Sequence, residues 1–369
     1  MTAPRRMLMT LDAVGGVWRH AVDLARALSA HGSEVVLAGL GPAPSDAQRA
    51  EVAAIQRTTL VWLDQPLDWM AEDEQALAAV PEALARLARE RQVDLVHLNL
   101  PSHAAQLRPL LPEGTGLVVA SHSCLATWWE AVKGTSLPEA WQWHRERERR
   151  GLAAADAVLV PSRSHGEALT RIYGRIGRLR VVHNATSPAA PAEKRPFVMA
   201  AARWWDEGKN AALLNEVARR VEWPVVAAGA IEEGQGQRVR MPHVETLGEV
   251  PHAEATRLLA EAAILVSPSL YEPFGLVALE AASRGAALIL SDIPTYRELW
   301  SEAAVLAPPR DAQAFAAAVS RVATDGALRA DLSRRALERA ARFRPDLQVA
   351  QVLDAYAAAG AIHPLAVSM

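Results

Sequence analysis

The sequence predicts an α/β protein with two parallel sheets that are covered by helices, and three observations carry this prediction. Short apolar segments alternate with amphipathic segments along the chain, a rhythm that is typical of parallel sheets with helices on both faces. The rhythm stops near Asn184, where a proline-rich segment follows, and it starts again at Phe197. The chain has 369 residues, which is enough for two domains of ordinary size.

The predicted elements form two series, which imply that the chain consists of two Rossmann-like halves. In the first series, strands are predicted at residues 7–10, 34–38, 93–98, 116–120 and 157–160, and Val181 and Val182 end the series. Helices are predicted at residues 17–28, at 73–91 and from about residue 164. In the second series, strands are predicted at residues 197–201, 225–228, 244–247, 264–267, 287–290 and 304–306.

These two series set the expected domain boundaries. Residues 1–184 form an N-terminal domain, and residues 197–345 form a C-terminal domain. The segment 185–196 contains three prolines and has no periodicity, so it is predicted to be a linker. The last segment, 346–369, contains one more predicted helix.

The composition limits the class of protein. Hydrophobic residues make up 50% of the chain and charged residues 22%, which predicts sizeable buried cores. The net charge of −3 gives no general attraction to nucleic acid or to anionic membranes. Cys124 is the only cysteine, which excludes an intramolecular disulfide and fits a cytoplasmic protein. No segment approaches the roughly 18 apolar residues of a membrane helix, although a peripheral membrane contact stays open.

The most informative segment is 267–280, which has the sequence SPSLYEPFGLVALE. It follows a predicted buried strand and turns through Pro273 and Gly275 before a helix begins at about Leu276. Free backbone amides at such a helix start attract an anion. Glu272 and Glu280 flank the turn, and their carboxylates repel phosphate but accept hydrogen bonds from hydroxyls. A nucleotide sugar has both phosphates and hydroxyls.

In each series, the loop that follows the first strand also carries candidate binding residues. Gly15 and Gly16 follow the first strand of the chain, where they let the backbone approach a ligand closely. The pattern differs from the Gly-x-Gly-x-x-Gly fingerprint, which argues against a dehydrogenase. Arg203 and Lys209 follow the first strand of the second series, and two such cations can offset the charge of a diphosphate.

Three histidines lie at predicted strand ends. His122 follows the strand at 116–120, where it can form a hydrogen bond with a sugar or an acceptor hydroxyl. His97 and His103 belong to another strand end and are candidate acceptor-side residues.

Tryptophan is unusually frequent, with eleven residues against four Phe and four Tyr. Trp128 and Trp129 follow His122, so they either stack on an acceptor or fill the core, and both alternatives stay open. The mixed charges of residues 145–150 predict a solvated helix face.

The segment EPFGL at 272–276, followed by EAA at 280–282, resembles the paired glutamates of retaining glycosyltransferases of family four, which have the GT-B fold. The resemblance implies two Rossmann-like domains facing across a cleft, with a C-terminal helix that crosses back to the N-terminal domain. It covers most of the chain and is strongest from Phe197 to Trp300. Asn210 and Pro345 stand where the family usually has Gly and often has Trp.

The resemblance also implies a reaction and the residues that perform it. A sugar passes from a nucleoside-diphosphate sugar to an acceptor with retention, without a metal or another cofactor. Glu272 binds the donor sugar and Glu280 the ribose, while Gly15 and Gly16 lie against the donor and His122 faces the reaction centre. The diphosphate is held by the cations of Arg203 and Lys209 and by the amides of Phe274, Gly275 and Leu276. We expect a UDP-sugar before a GDP-sugar; the acceptor stays unidentified.

Two other functions share parts of this pattern. A nucleotide-sugar epimerase of the GT-B type has the same two-domain cleft, but it needs a different set of acid and base residues. A non-catalytic sugar-nucleotide-binding protein need not keep Glu272, Glu280, Arg203 and Lys209 together.

Overall fold

The computed structural model describes residues 3–188, 192–232, 236 and 238–360. The chain divides into two compact units. The first unit combines the residues up to Asn184, apart from 131–134, with the segment that starts at Pro345. The second unit contains the residues from Ala185 to Arg344 together with 131–134.

The first unit contains a seven-stranded parallel sheet with the strand order β3-β2-β1-β4-β5-β6-β7. The strands are β1 (Arg6–Asp12), β2 (Glu34–Leu40), β3 (Thr58–Trp62), β4 (Leu95–Leu98), β5 (Gly116–Ala120), β6 (Ala157–Val160) and β7 (Leu179–Val181). The central strands β4 and β5 are buried along their whole length, and β1 is buried apart from Arg6, as expected for strands that are covered on both faces.

Helices cover both faces of this sheet. They are α1 (Gly16–Ala30), α2 (Asp46–Ala53), α3 (Val80–Glu90), α4 (Ala104–Leu107), α5 (Leu125–Lys133), α6 (Gln142–Ala154) and α7 (Arg163–Tyr173). The amphipathic helix α1 buries Val22, Ala25 and Leu28 in the same core as Met7 and Met9 of β1.

The second unit contains a six-stranded parallel sheet with the order β10-β9-β8-β11-β12-β13. The strands are β8 (Arg195–Ala201), β9 (Val225–Ala228), β10 (Glu245–Gly248), β11 (Ala262–Ser267), β12 (Ala287–Ser291) and β13 (Ala304–Ala307). The helices are α8 (Ala211–Ala218), α9 (His252–Glu261), α10 (Leu276–Ala282), α11 (Pro294–Trp300), α12 (Ala312–Thr324) and α13 (Gly326–Ala340). Two apolar cores lie on opposite faces of the sheet.

The last helix, α14 (Pro345–Ala358), belongs to the first unit. It packs on α1 and buries Val349, Val352 and Leu353 in the core beneath that helix. The Tyr356 hydroxyl lies 2.6 Å from His97 Nδ1 on β4. The predicted return of the C-terminal helix to the N-terminal sheet is therefore confirmed.

Three local predictions differ from the structure. The helix predicted at 73–91 is divided into a 3-10 turn at Gln75–Leu77 and α3, which starts at Val80 because Pro81 suits a first helical turn. The edge strand β3 was not predicted, although residues 60–63 form a short apolar run, and its residues are half-buried or exposed. The helix face at 145–150 is not wholly solvated, because Arg147 and Glu148 are buried.

The burial of Arg147 follows from close packing of α6. A Cβ on Gly151 would lie 1.8 Å from the carbonyl oxygen of Pro101, so the helix and this turn meet without room for a side chain. Arg147 then forms an ion pair with Glu74 at 3.2 Å. Within the residues that the structure describes, no helix is both long and apolar enough to cross a membrane.

Candidate active site

Two neighbouring strands of the second unit end beside each other. β8 and β11 are parallel and adjacent, and the strand order reverses between them. The loop after β8 carries Arg203 and Lys209, and the loop after β11 carries Glu272. Ligands of open α/β sheets bind outside the carboxyl ends of the strands at such a reversal. The topology thus brings together residues that the sequence analysis selected separately.

Lys209 and Glu272 form the central contact of this edge. Lys209 Nζ lies 2.6 Å from Glu272 Oε1, and both side chains are 15% exposed. The Ser269 hydroxyl donates to the same carboxylate oxygen at 3.2 Å. The prediction assigned Lys209 to the diphosphate and Glu272 to the sugar, and the structure joins them in one ion pair. Both groups keep some exposure, so a ligand can reach them.

Asn210 holds the loop that carries Lys209. Its backbone is left-handed, with φ 59° and ψ 47°, a conformation that Asn adopts more readily than most residues. Its side-chain amide donates to the carbonyl oxygens of Pro268 at 3.0 Å and Pro309 at 2.8 Å. The replacement of the usual Gly thus keeps the backbone conformation and adds two hydrogen bonds.

The turn before α10 requires glycine. Gly275 has φ 86°, and a Cβ there would lie 2.7 Å from the ring of Tyr296. The Tyr296 hydroxyl lies 2.7 Å from Ser267 Oγ, which fixes the ring beneath the turn. Burial raises the pKa of Tyr296 well above its usual value, and the charge of Glu272 acts in the same direction. Phe274 is buried and packs edge-on against Phe343.

Arg203 remains accessible. Its guanidinium lies over the ring of Trp205 at 5.2 Å, and it is 3.8 Å from the Asp206 carboxylate. The loop is anchored directly after Arg203 by the buried Trp204, whose indole N–H donates to the carbonyl oxygen of Ala228 at 2.9 Å. A cation that is 39% exposed and braced by a ring is free to contact an anionic ligand.

Glu280 is half-buried on α10, eight positions after Glu272. Its backbone carbonyl accepts hydrogen bonds from Arg284 Nη1 and Ser283 Oγ. Burial lowers the pKa of Arg284, while the charge of Glu280 acts in the opposite direction. The roles of Glu280 and of the amides of Phe274, Gly275 and Leu276 stay predictions.

In the first unit, the glycine loop follows β1. The Asp12 carboxylate accepts a hydrogen bond from the Val14 backbone at 2.9 Å, which shapes the turn. Gly15 caps α1 in an extended conformation, and Gly16 is exposed. The contact of Gly15 and Gly16 with a ligand stays a prediction.

His122 lies among imidazole and amide side chains of the first unit. Its Nε2 is 2.8 Å from Asn99 Oδ1, and its ring centroid is 4.4 Å from that of His20. Burial lowers the pKa of His122 well below its usual value, and the charges of His20, His97 and His165 act in the same direction. Burial likewise lowers the pKa of His20 to about 4.

His20 and Asn99 were not predicted as site residues from the sequence, although signals for both exist. His20 lies one helical turn after Gly16, and Asn99 follows the predicted strand 93–98 at once. Ser269 and Tyr296 were also missed as supports of Glu272 and Gly275, because their contacts depend on how the turn folds.

His97 and His103 are fully buried. His97 binds Tyr356 under α14, and burial lowers its pKa to about 3. Burial also lowers the pKa of His103 to about 4. With no exposed surface on either ring, the geometry gives no support to an acceptor-side role, which stays a prediction.

Trp128 and Trp129 lie half-buried on α5, with ring centroids 6.1 Å apart. The Trp129 indole donates to Thr135 Oγ1 at 3.2 Å. The two side chains neither belong wholly to the core nor lie free on the surface, so the choice between acceptor stacking and packing stays open.

Comparison with known protein families divides the chain as the structure does. Residues 14–189 match Glycosyltransferase Family 4, and residues 188–339 match Glycosyl transferases group 1. The glycogen synthase of Mycobacterium tuberculosis is 25% identical over 88% of this chain and 86% of its own length.

Other relatives match over shorter segments. A phosphatidyl-myo-inositol mannosyltransferase of Mycolicibacterium smegmatis is 34% identical over 40% of this chain and 39% of its own length. The O-antigen chain mannosyltransferase B of Escherichia coli is 28% identical, and the match spans 45% of this chain but only 39% of that protein.

Solved structures share the fold over almost the full length. Sucrose-phosphate synthase of Thermosynechococcus elongatus superposes with a TM-score of 0.79 at 22% identity, over 95% of this chain and 98% of that one. Anabaena HepE in complex with UDP-glucose superposes with a TM-score of 0.76 at 17% identity, over 95% and 99%. With both family matches in the predicted order, the chain belongs to the family-four-like glycosyltransferases of the GT-B fold.

Proposed function

We propose that this protein transfers a sugar from a nucleoside-diphosphate sugar to an acceptor hydroxyl, with retention of the anomeric configuration and without a metal ion. The observation that carries the proposal is the contact of Lys209 with Glu272 at the ends of two adjacent strands. A cation for a phosphate and an acceptor for a hydroxyl there lie 2.6 Å apart, as the junction between a diphosphate and a sugar requires.

The charges of the second unit would bind the diphosphate. Lys209 and Arg203 supply two cations that stabilise the negative charge of the departing phosphate. The exposed guanidinium of Arg203 can bind two phosphate oxygens at once. Glu272, held by Lys209 and Ser269, would then accept hydrogen bonds from hydroxyls of the donor sugar and so place the anomeric carbon.

The chemical step balances without a covalent enzyme intermediate. The bond between the anomeric carbon and the β-phosphate oxygen breaks, and a bond to the acceptor oxygen forms on the same face. The acceptor proton passes to the departing phosphate, so the products are the glycosylated acceptor and a nucleoside diphosphate. His122 would form a hydrogen bond with a hydroxyl of a substrate.

We favour a UDP-sugar donor, with a GDP-sugar next. The support for UDP comes from Anabaena HepE, a structural neighbour that was solved with UDP and with UDP-glucose. The mannosyltransferase relatives keep other sugars open. Glu280 would accept hydrogen bonds from the ribose, which every such donor shares. A cytoplasmic location is part of the proposal.

A screen of donors tests the proposal. The full chain is melted in the presence of UDP-, GDP- and ADP-sugars, and one donor is expected to raise the melting temperature by several degrees. With that donor and no acceptor, slow transfer to water should release the α-anomer of an α-linked sugar first, as followed by proton NMR.

Other outcomes would contradict the proposal. Initial release of the β-anomer would contradict retention, and an epimerised donor would indicate a nucleotide-sugar epimerase. Binding without release of nucleoside diphosphate to water or to any carbohydrate or lipid acceptor would indicate a non-catalytic binding protein. The Glu280→Ala variant should bind the nucleoside diphosphate about tenfold more weakly, the loss of roughly one hydrogen bond to a charged group.

A further inference from the structure

Asn99 is held rigidly between β1 and His122. It follows β4 directly and is 3% exposed. Its backbone N–H donates to Thr10 Oγ1 at 2.8 Å, and its side-chain Nδ2 donates to the Thr10 carbonyl oxygen at 2.6 Å. Its Oδ1 faces His122 Nε2 at 2.8 Å. The backbone N–H, the side-chain Nδ2 and the Oδ1 of this buried residue therefore each have a hydrogen-bond partner.

These contacts determine which way the amide points. With the amide reversed, Oδ1 would face the carbonyl oxygen of Thr10, and two acceptors would repel each other at hydrogen-bond distance. The oxygen of Asn99 must therefore face His122. Since that oxygen can only accept, His122 Nε2 has to carry the proton.

The imidazole of His122 is surrounded by groups that disfavour a second proton. His20 on α1 lies with its ring centroid 4.4 Å away, and His97 on β4 and His165 on α7 also act on His122. Burial is the largest cause of its lowered pKa, and the charges of these three histidines add to it. A neutral ring with its proton on Nε2 has its lone pair on Nδ1.

We propose that Asn99 is a positioning residue that fixes His122 in the Nε2–H tautomer, so that His122 presents Nδ1 as a hydrogen-bond acceptor to a hydroxyl of the sugar or of the acceptor. The inference rests on the proposed function and narrows it. A lone pair on Nδ1 binds a hydroxyl and repels a phosphate oxygen, so His122 serves the sugar transfer rather than the diphosphate.

The tautomer can be observed without turnover. The full chain is labelled with ¹⁵N-histidine, and long-range proton–nitrogen correlation spectra identify the protonated nitrogen of each ring. The His122 signals are assigned by their loss in a His122→Gln variant. The native protein should show His122 with a protonated Nε2 at neutral pH. A protonated Nδ1, or a doubly protonated ring, would overturn the proposal whether or not the variants at Asn99 fold.

One variant and one control test whether Asn99 fixes the tautomer. Asn99→Ala removes the acceptor, so His122 should change to a mixture of tautomers; an unchanged tautomer would show that Asn99 does not fix it. The control is Ser121→Ala, which lies beside His122 in the chain but binds His165 Nε2 at 3.1 Å. It should leave the His122 signals unchanged, and a changed tautomer there would contradict a specific role of Asn99.

Kinetic measurements distinguish a positioning role of Asn99 from a purely structural one. In Asn99→Ala, we expect kcat to fall about tenfold while KM for the donor changes little. In Asn99→Asp, the carboxylate stabilises the imidazolium form of His122. An imidazolium has no lone pair on Nδ1, so it cannot accept a hydrogen bond from a hydroxyl. Activity of this variant should therefore be low at acidic pH and recover as the pH rises, and a pH profile that matches the native one would overturn the proposal. Failure of the proposed function would remove turnover altogether, but it would leave the tautomer result in place.

Discussion

The two units carry different chemistry at comparable positions. In the second unit, the loops after neighbouring strands carry an ion pair, Lys209 and Glu272, and the exposed cation of Arg203. Around His122 in the first unit, the groups are imidazoles with lowered pKa values and the amide of Asn99. Charged groups match a diphosphate, while neutral groups match hydroxyls. The same type of sheet edge therefore supports a division of labour that the residue types decide.

The largest expected effect tests whether Glu272 of the second unit takes part in sugar transfer. Glu272→Ala should lower transfer by about 10²–10³-fold, because it removes a preorganised hydrogen-bond acceptor beside the reacting sugar. Binding of free nucleoside diphosphate, measured by calorimetry, should persist. Glu254→Ala changes an exposed glutamate of α9 as a matched control. Full activity of Glu272→Ala would remove the central assignment.

The second largest expected effect tests whether Arg203 and Lys209 bind the diphosphate. Arg203→Ala combined with Lys209→Ala should raise the Kd of the nucleoside diphosphate about 10- to 100-fold, the range for losing two charge-assisted hydrogen bonds. The Kd of the nucleoside alone should change far less. Arg257→Ala, which removes an exposed cation of the same unit, should change neither value. An equal loss of affinity for the nucleoside diphosphate and for the nucleoside would show that Arg203 and Lys209 do not contact the diphosphate.

The buried histidines of the first unit predict a dependence of stability on pH. Burial lowers the pKa of His97 to about 3 and that of His165 to about 4, from the usual value of about 6.5. Between these values the unfolded chain binds more protons than the folded one. The free energy of unfolding should thus fall as the pH drops from 7 to 5, by at most about 2 kcal/mol per histidine.

Urea denaturation at several pH values measures this dependence. His165→Gln should make the decline shallower, whereas a His31→Gln control at an exposed position should leave the slope unchanged. A slope that is the same in the native protein and in His165→Gln would show that folding does not lower the pKa of this ring.

A smaller effect tests the rigidity of the charged site. Gly275→Ala should lower the free energy of unfolding by about 1–3 kcal/mol, because it combines a left-handed backbone with a contact of 2.7 Å to Tyr296. Gly285→Ala is the matched control, since its φ of 78° is similar but its nearest neighbour is 3.8 Å away. Equal losses in the two variants would mean that Tyr296 yields and does not brace the turn.

The sequence predicts best what depends on local pattern. The strand, turn and helix around Glu272 follow from an apolar run, Pro268 and Gly275, which lie within a short segment. The ion pair with Lys209 joins residues 63 positions apart, so it depends on β8 and β11 being neighbours. No local periodicity encodes that adjacency.

Burial of polar residues is predicted least well. The run at 145–150 has the composition of a solvated helix face, yet Arg147 is buried because α6 packs closely on the turn at Pro101–His103. The rings of His97 and His103 are hidden in the same way by elements that are distant in the chain. Their surroundings are a property of the tertiary fold.

The position of α14 has a consequence for synthesis on the ribosome. Domains usually fold in the order in which they are translated. Here the core of the first unit includes Val352 and Leu353, which are translated only after the whole of the second unit. At ordinary rates of translation, this delay is about 10–30 s. The unit that starts first is therefore completed last, and the nascent chain must keep the surface that α14 will cover from aggregating until then.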